Sequence, residues 1–181
     1  MEKSADAMGA TFTVALYGTD RAQMEAAIDA ALAEAQRLDA QLSNYWPESE
    51  WSAINRTAGS KPVKVSPELF RLLAACLDYS RESDGAFDIT VGPLMKTWGF
   101  YKSSGHLAPK SDVDAALGKI GYRHVHLDPA AQTVAFDVPG IELDPGGIGK
   151  GYAVDRMVDI LKQKGWKYRL LAEMPDDLSS N

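Results

Sequence analysis

The chain has a single cysteine, Cys76, so no internal disulfide can form and no cysteine-based zinc cluster is available. Cys76 lies in the apolar run Leu72-Leu73-Ala74-Ala75-Cys76-Leu77 and reads as a buried thiol acting as a small hydrophobe. Long apolar runs are also missing, and none approaches the length a membrane-spanning helix needs. Basic residues are outnumbered, 19 Lys and Arg against 25 Asp and Glu, for a net charge of −6. That balance argues against a broad phosphate-tracking surface for nucleic acid. It leaves room for a small anion, which backbone amides and one or two lysines can hold locally. The start, Met1-Glu2-Lys3-Ser4-Ala5-Asp6, carries no apolar signal core and no acylatable cysteine. Either the chain stays in the cytoplasm or it is a mature fragment whose export signal has been removed. No Ser-His-Asp order, His-Glu-x-x-His helix or nucleophile elbow is present. The three histidines, His106, His124 and His126, do not make a ligand set. His124 and His126 share a strand face with no third ligand nearby and read as surface residues.

What remains, in 181 residues, is enough for one domain with a real core. Residues 11–17 alternate, with Phe12, Val14 and Leu16 on one side, as a half-buried strand does. Gly18-Thr19-Asp20 opens a long helix with apolar positions Met24, Ile28, Ala31, Ala35, Leu38 and Leu42 on one face. A short polar helix is expected over 49–55. A longer one starts at Ser66-Pro67, buries Leu69, Leu72, Leu73 and Cys76, and ends at Asp84-Gly85. Ser111 caps a brief helix that stops at Gly118. Residues 124–127 and 133–136 read as a hairpin, 141–143 as a short strand, 150–164 as a helix closed by Gly165, and 166–171 as a last strand. The class is α+β. Leu170-Leu171 should lead deeper into a sheet, yet Glu173-Met174-Pro175-Asp176-Asp177 turns polar. A strand that finds no continuation points to a domain truncated at its C-terminal side.

Three segments carry chemistry. In Glu142-Leu143-Asp144-Pro145-Gly146-Gly147-Ile148-Gly149-Lys150-Gly151-Tyr152 a strand runs into glycines, then a lysine, then an amphipathic helix. Such glycines admit a ligand close to the backbone, and first-turn amides favour a phosphate. It is not a P-loop, since Gly151 stands where Ser or Thr should follow the lysine, nor a dinucleotide fingerprint. A turn kept for packing alone has the same composition. In Asp84-Gly85-Ala86-Phe87-Asp88-Ile89-Thr90-Val91-Gly92-Pro93-Leu94, Asp88 and Thr90 alternate with apolar residues. They read as one face of a short strand, either a place to hydrogen-bond a heterocycle or an ordinary solvated edge. In Leu42-Ser43-Asn44-Tyr45-Trp46-Pro47 two adjacent aromatics sit in a loop, where they can stack on a flat ligand or plug the loop's base.

Together these segments resemble the ApbE family of flavin transferases. Met8-Gly9-Ala10-Thr11 is similar to its N-terminal strand entry, and Ser43-Asn44-Tyr45 with Ser49-Glu50 to its aromatic loop. Gly85-Ala86-Phe87-Asp88, Gly92-Pro93-Leu94 and Trp98-Gly99-Phe100 resemble its most recognisable block. Leu143-Asp144 through Gly147, with Lys150-Gly151-Tyr152-Ala153 and Asp155, resembles its glycine-lysine motif. The resemblance runs from 8 to about 170, with 171–181 a divergent tail, and treats 1–181 as a single partial domain. It implies an ApbE-like, T-fold-like mixed sheet with packed helices. It also implies transfer of FMN from FAD to a Thr or Ser hydroxyl of a target flavoprotein, with Mg²⁺ at the pyrophosphate. FAD-facing positions would be Met8, Tyr45, Ala86, Phe87, Asp88, Asp144 and Lys150, and the Gly147 carbonyl would reach the metal. A periplasmic or membrane-associated setting is implied as well, although no export signal is visible and a cytoplasmic one stays open.

The family's later motifs are missing: a strand ending in two glycines and an aspartate, a His-x-x-Asp-Pro-x-Thr-Gly segment, and a late Asp and Thr that complete the metal site. A single carbonyl does not make a Mg²⁺ site, which takes several oxygens in octahedral geometry. The alternatives are therefore a catalytically dead FAD-binding or interaction protein, an FAD pyrophosphatase, or a non-functional truncation product with an unpaired sheet edge.

Overall fold

The computed structural model describes residues 1–102, 105–166 and 168–173. The chain divides into two compact units, one of Met1–Ser43 with Ile148–Asn181 and one of Asn44–Gly147.

In the first unit, β1 (Glu2–Ala7) and β2 (Ala10–Leu16) form an antiparallel hairpin, and β6 (Tyr168–Glu173) pairs antiparallel along the other side of β2. Ala10, Phe12, Val14 and Leu16 are all buried, as the alternation requires. Between the strands Met8 and Gly9 both have positive φ, 53° and 67°, the type I′ geometry that matches strand twist. α1 (Arg21–Leu42) is capped by Asp20, whose carboxylate accepts the Gln23 N–H. Its six expected apolar positions are buried, with Ala27 and Leu32 beside them. α1 packs against α6 (Gly149–Gln163), which buries Ala153, Met157 and Leu161.

β1 carries no sequence signature because the residue it turns toward the helix is a lysine. Lys3, Ala5 and Ala7 are its less exposed positions. The Lys3 ammonium meets Glu25 at 2.9 Å and Asp29 at 2.7 Å, both on α1. The last strand begins two residues later than expected. α6 ends in a Schellman arrangement: Gly165, at φ 77°, donates to Lys162 O, and Trp166 donates to Leu161 O. Trp166 is thus committed to the helix end. The tail from Met174 on lies outside the described residues, as does Lys167.

The second unit holds α2 (Glu50–Thr57), β3 (Val63–Lys64), α3 (Pro67–Glu82), α4 (Gly92–Thr97), α5 (Lys110–Leu117), β4 (Val125–Asp128) and β5 (Thr133–Phe136). The strands form an antiparallel sheet in the order β3-β5-β4. Ser49 caps α2 and Ser66 caps α3, and the Glu50 carboxylate takes both the N–H and the hydroxyl of Ser66. α3 buries Leu69, Leu72, Leu73 and Cys76. Burial pushes the Cys76 thiol up to about 12, which leaves it inert at neutral pH. Asp84 and Gly85 end the helix with φ of 55° and 83°. The brief helix starts at Lys110 after Pro109, one residue ahead of the expected Ser111 cap.

Two expected strands are not strands. Residues 87–91 form a turn in which Thr90 is fully buried and does not share an open face with Asp88. Around 141–143 the ladder shrinks to one parallel bridge, Val91 to Glu142. In both places side chains take the backbone bonds that a neighbouring strand would otherwise make.

Truncating Leu38, which is fully buried in the first unit's core, should cost about 2–5 kcal/mol. Lys3→Ala should move the urea midpoint far less, because its ion pairs are solvated. Equal shifts for the two variants would mean that β1 is held by charge and not by its backbone ladder.

Candidate functional site

Six of the eight sequence-selected positions, Tyr45, Ala86, Phe87, Asp88, Asp144 and Gly147, fall in the second unit, and Met8 and Lys150 fall in the first. Within the second unit the three separate sequence segments meet around Asp144.

Asp144 leaves the 141–143 segment with its N–H bonded to Ile89 O at 2.7 Å. The preceding residue, Leu143, is tied down by α2. The Asn55 side chain accepts from Leu143 N at 2.8 Å and donates to Leu143 O at 3.0 Å, and the buried Trp51 indole donates to the same carbonyl at 3.1 Å. The Asp144 carboxylate is nearly buried, at 7% exposure. Its Oδ1 accepts the Gly146 N–H at 2.8 Å. Its Oδ2 accepts the Tyr101 hydroxyl at 2.6 Å and the Asn44 amide at 3.2 Å. Asn55 in turn donates to Asn44 Oδ1 at 3.2 Å, which links the aromatic loop to α2. Burial, then the carboxylate beside it, holds the Tyr101 phenol far above its usual range, so it acts as a donor.

The glycine turn is shaped by close contacts. A Cβ on Gly146 would lie 2.7 Å from Asp144 Oδ1, and one on Gly147 would lie 3.2 Å from the Phe87 ring. Phe87 therefore lies against the turn, and Tyr79 packs edge-to-face on it at 6.3 Å. Beyond the turn α6 begins at Gly149, with Ile148 at the cap and no side-chain cap bond. Lys150 is the second residue of that helix. The cap residue thus gives the first-turn amides of α6 no side-chain acceptor, a setting that suits an anion.

Asp88 is engaged inside the chain. Its Oδ1 accepts the Thr90 N–H at 2.8 Å and the Thr90 hydroxyl at 2.6 Å, and its Oδ2 accepts the Tyr122 N–H at 2.8 Å. Thr90 passes the chain on by accepting Gly121 N–H at 2.8 Å. Ala86 is exposed at the turn's outer side, its N–H bonded to Ser83 O. Tyr45 is 66% exposed and packs edge-on with Tyr101 at 5.9 Å, so its ring is open to a flat ligand. Met8 is half-buried against the first unit's core while occupying a turn position that favours Asn or Gly. His124 and His126 are surface residues that bridge the two oxygens of Asp137 at 2.8 and 2.7 Å. Among the described residues no group of three His, Cys, Asp or Glu side chains is arranged to hold a metal ion.

Sequence reading missed Tyr101, Asn44 as a ligand to Asp144, and Asn55. Only the placement of Asn44 beside the Tyr45-Trp46 pair offered a signal. The partners lie 43 to 100 positions apart, so no local pattern reports them. Asp88→Ala should therefore act first on stability, at about 1–3 kcal/mol, by leaving the Tyr122 and Thr90 donors unpaired. Urea unfolding without ligand checks this. An unchanged midpoint would show that these bonds do not hold the loop.

Comparison with known proteins covers nearly the whole chain. The model of the ApbE family matches residues 8–172. The FAD:protein FMN transferase of Klebsiella pneumoniae is 36% identical over 164 residues, 89% of this chain and 50% of that protein. The protein of the same name from Salmonella typhimurium is 30% identical, over 87% of this chain and 46% of its own. The chain thus spans about half the length of the curated relatives it matches. The crystal structure of the ApbE protein of Thermotoga maritima aligns with a TM-score of 0.84 at 28% identity, over 91% of this chain and 53% of that one. The flavinyl transferase ApbE of Pseudomonas stutzeri, in its apo form, aligns with a TM-score of 0.82 at 30% identity, over 94% and 54%. The loop, turn and glycine segments that meet at Asp144 lie within the span matched by sequence and fold alike, and the chain belongs to the ApbE family.

Proposed function

We propose that this chain supplies the FAD-holding part of a flavin transferase that moves FMN from FAD to a Thr or Ser hydroxyl of a target flavoprotein. The observation that carries the reading is the built turn from Asp144 to Lys150. Its carboxylate is fixed by three donors, its glycines lie against Asp144 and Phe87, and it opens a helix whose first amides lack a side-chain cap.

In this reading the α6 amides and the Lys150 charge hold the pyrophosphate. Tyr45 offers a ring face to the flavin, and Asp144, Ala86 and Phe87 line the same ligand. Asp88 serves it by holding the loop that carries Phe87, and Met8 contributes from the β1–β2 turn. The acceptor hydroxyl displaces AMP at the FMN phosphorus. One phosphoester bond forms, the anhydride bond breaks, and the hydroxyl proton leaves. Mg²⁺ would supply charge neutralisation on those phosphate oxygens. The donors described here do not fit it by themselves. Gly147 gives one carbonyl, and three of the roughly four acceptor sites of Asp144 are already used. We keep with this reading the periplasmic or membrane-associated setting that the family resemblance implies; among the described residues no helix is long and apolar enough to cross a membrane. The incomplete donor set favours one second reading, a chain that binds FAD without turning it over.

Incubation with FAD, Mg²⁺ and a threonine-containing acceptor, followed by in-gel flavin fluorescence, separates the two. We expect FAD retained through gel filtration and no labelled acceptor from this chain alone. Metal-dependent labelling would mean that other carboxylates complete the site, and release of FMN and AMP without labelling would make it an FAD pyrophosphatase. Lys150→Ala should weaken FAD by about 1–3 kcal/mol and riboflavin hardly at all, because riboflavin has no phosphate. Equal losses in fluorescence titrations would remove Lys150 from the phosphate site.

A further inference from the structure

Tyr101 touches two of the sequence-selected site residues from different segments. Its ring packs edge-on with Tyr45 at 5.9 Å, and its hydroxyl donates to Asp144 Oδ2 at 2.6 Å. It also lies 3.3 Å from the Asn44 amide, which contacts the same carboxylate oxygen. None of these contacts is local, since Tyr101 sits in a 3₁₀ turn, Phe100–Lys102, far along the chain from both partners. A carboxylate at 7% exposure has few ways to keep one orientation, and a short phenol bond is among the strongest.

We propose that Tyr101 is a positioning residue for flavin-dinucleotide binding. It locks the Asp144 carboxylate in one rotamer and braces the Tyr45 ring beside it, so that the hydrogen-bonding and stacking elements of the site are set before the ligand arrives. The inference rests on the FAD reading above and names a residue that reading does not require. The Asp144 lone pairs give it its content. Oδ2 is filled by Tyr101 and Asn44, and Oδ1 by Gly146, which leaves one acceptor direction on Oδ1 for a ligand donor. Without the Tyr101 hydroxyl, Oδ2 keeps only the longer Asn44 bond at 3.2 Å, and the single direction aimed at the ligand is held less firmly. Burial keeps the phenol protonated, so it stays a donor throughout the neutral range. Preorganisation of this kind shows in affinity because the cost of ordering is met before binding.

Tyr101→Phe keeps the ring against Tyr45 and removes only the hydroxyl. In FAD fluorescence titrations of the whole chain it should raise Kd about tenfold, roughly 1.4 kcal/mol. In an Asp144→Ala background the same change should have almost no effect, because its target is gone. Asp144→Asn serves where the alanine variant fails to fold, and there the Tyr101→Phe effect should shrink to about threefold. A phenol donating to a carboxylate absorbs to the red of a free one. The near-ultraviolet difference spectrum without ligand should therefore lose that shoulder in Tyr101→Phe and in Asp144→Ala alike. Wild-type binding with equal Tyr101→Phe losses in both backgrounds would overturn the positioning role while leaving the FAD reading intact. Absence of FAD binding by the wild-type chain would overturn the FAD reading and this proposal with it.

Discussion

The backbone of Leu143 lies outside any ladder, and its N–H and C=O are taken by side chains. Asn55 grips both groups and the Trp51 indole adds a second donor to the carbonyl. A buried peptide left without these partners would cost about 1–3 kcal/mol per group, so α2 must be in place for the segment to exist in this form. Once Leu143 is fixed, Asp144 has one exit direction, and its carboxylate folds back on Gly146 to start the glycine turn. A helix residue 88 positions earlier thus fixes where the glycine turn starts.

The same strategy recurs on the neighbouring loop. Asp88 uses both oxygens to close a turn on Thr90 and to hold the Tyr122 backbone. The two aspartates that a linear motif presents as equals each accept three donors. They differ in burial: Asp88 is half-buried and Asp144 buried, a setting that strengthens whatever further bond Asp144 makes.

Legibility followed the range of the interaction. α1 was readable because Met24, Ile28, Ala31, Ala35, Leu38 and Leu42 repeat at helical spacing and all are buried, and α3 because Ser66-Pro67 and Asp84-Gly85 mark its ends. β1 was not, since the side it turns to α1 is led by Lys3, whose partners Glu25 and Asp29 lie more than twenty residues on. The 87–91 segment has the alternation of a strand, yet an aspartate two residues before a threonine offers the backbone a competing bond, and that bond won. The candidate site residues were named from family motifs. The network that orients them was not, because Asn44, Asn55 and Tyr101 act across 43 to 100 positions.

One consequence concerns how such a site tolerates change. Two glycines of the turn are pressed by specific atoms, Gly146 by Asp144 Oδ1 and Gly147 by the Phe87 ring. The neighbours that press them are themselves fixed by Tyr101, Asn44 and Tyr79. A side chain added at Gly146 would force the Asp144 carboxylate out of its bonds, and one at Gly147 would require the Phe87 ring to give by a few tenths of an ångström. Rigidity here comes from mutual contact among side chains with little regular secondary structure around them. The second unit's stability therefore depends on Tyr101, Asn44 and Asn55, and under the proposed function substitutions there act on ligand affinity as well. Lys150 starts a helix whose buried face belongs to the first unit's core and is not among the residues of that network, so under the proposed function it is the position at which binding is tested apart from folding.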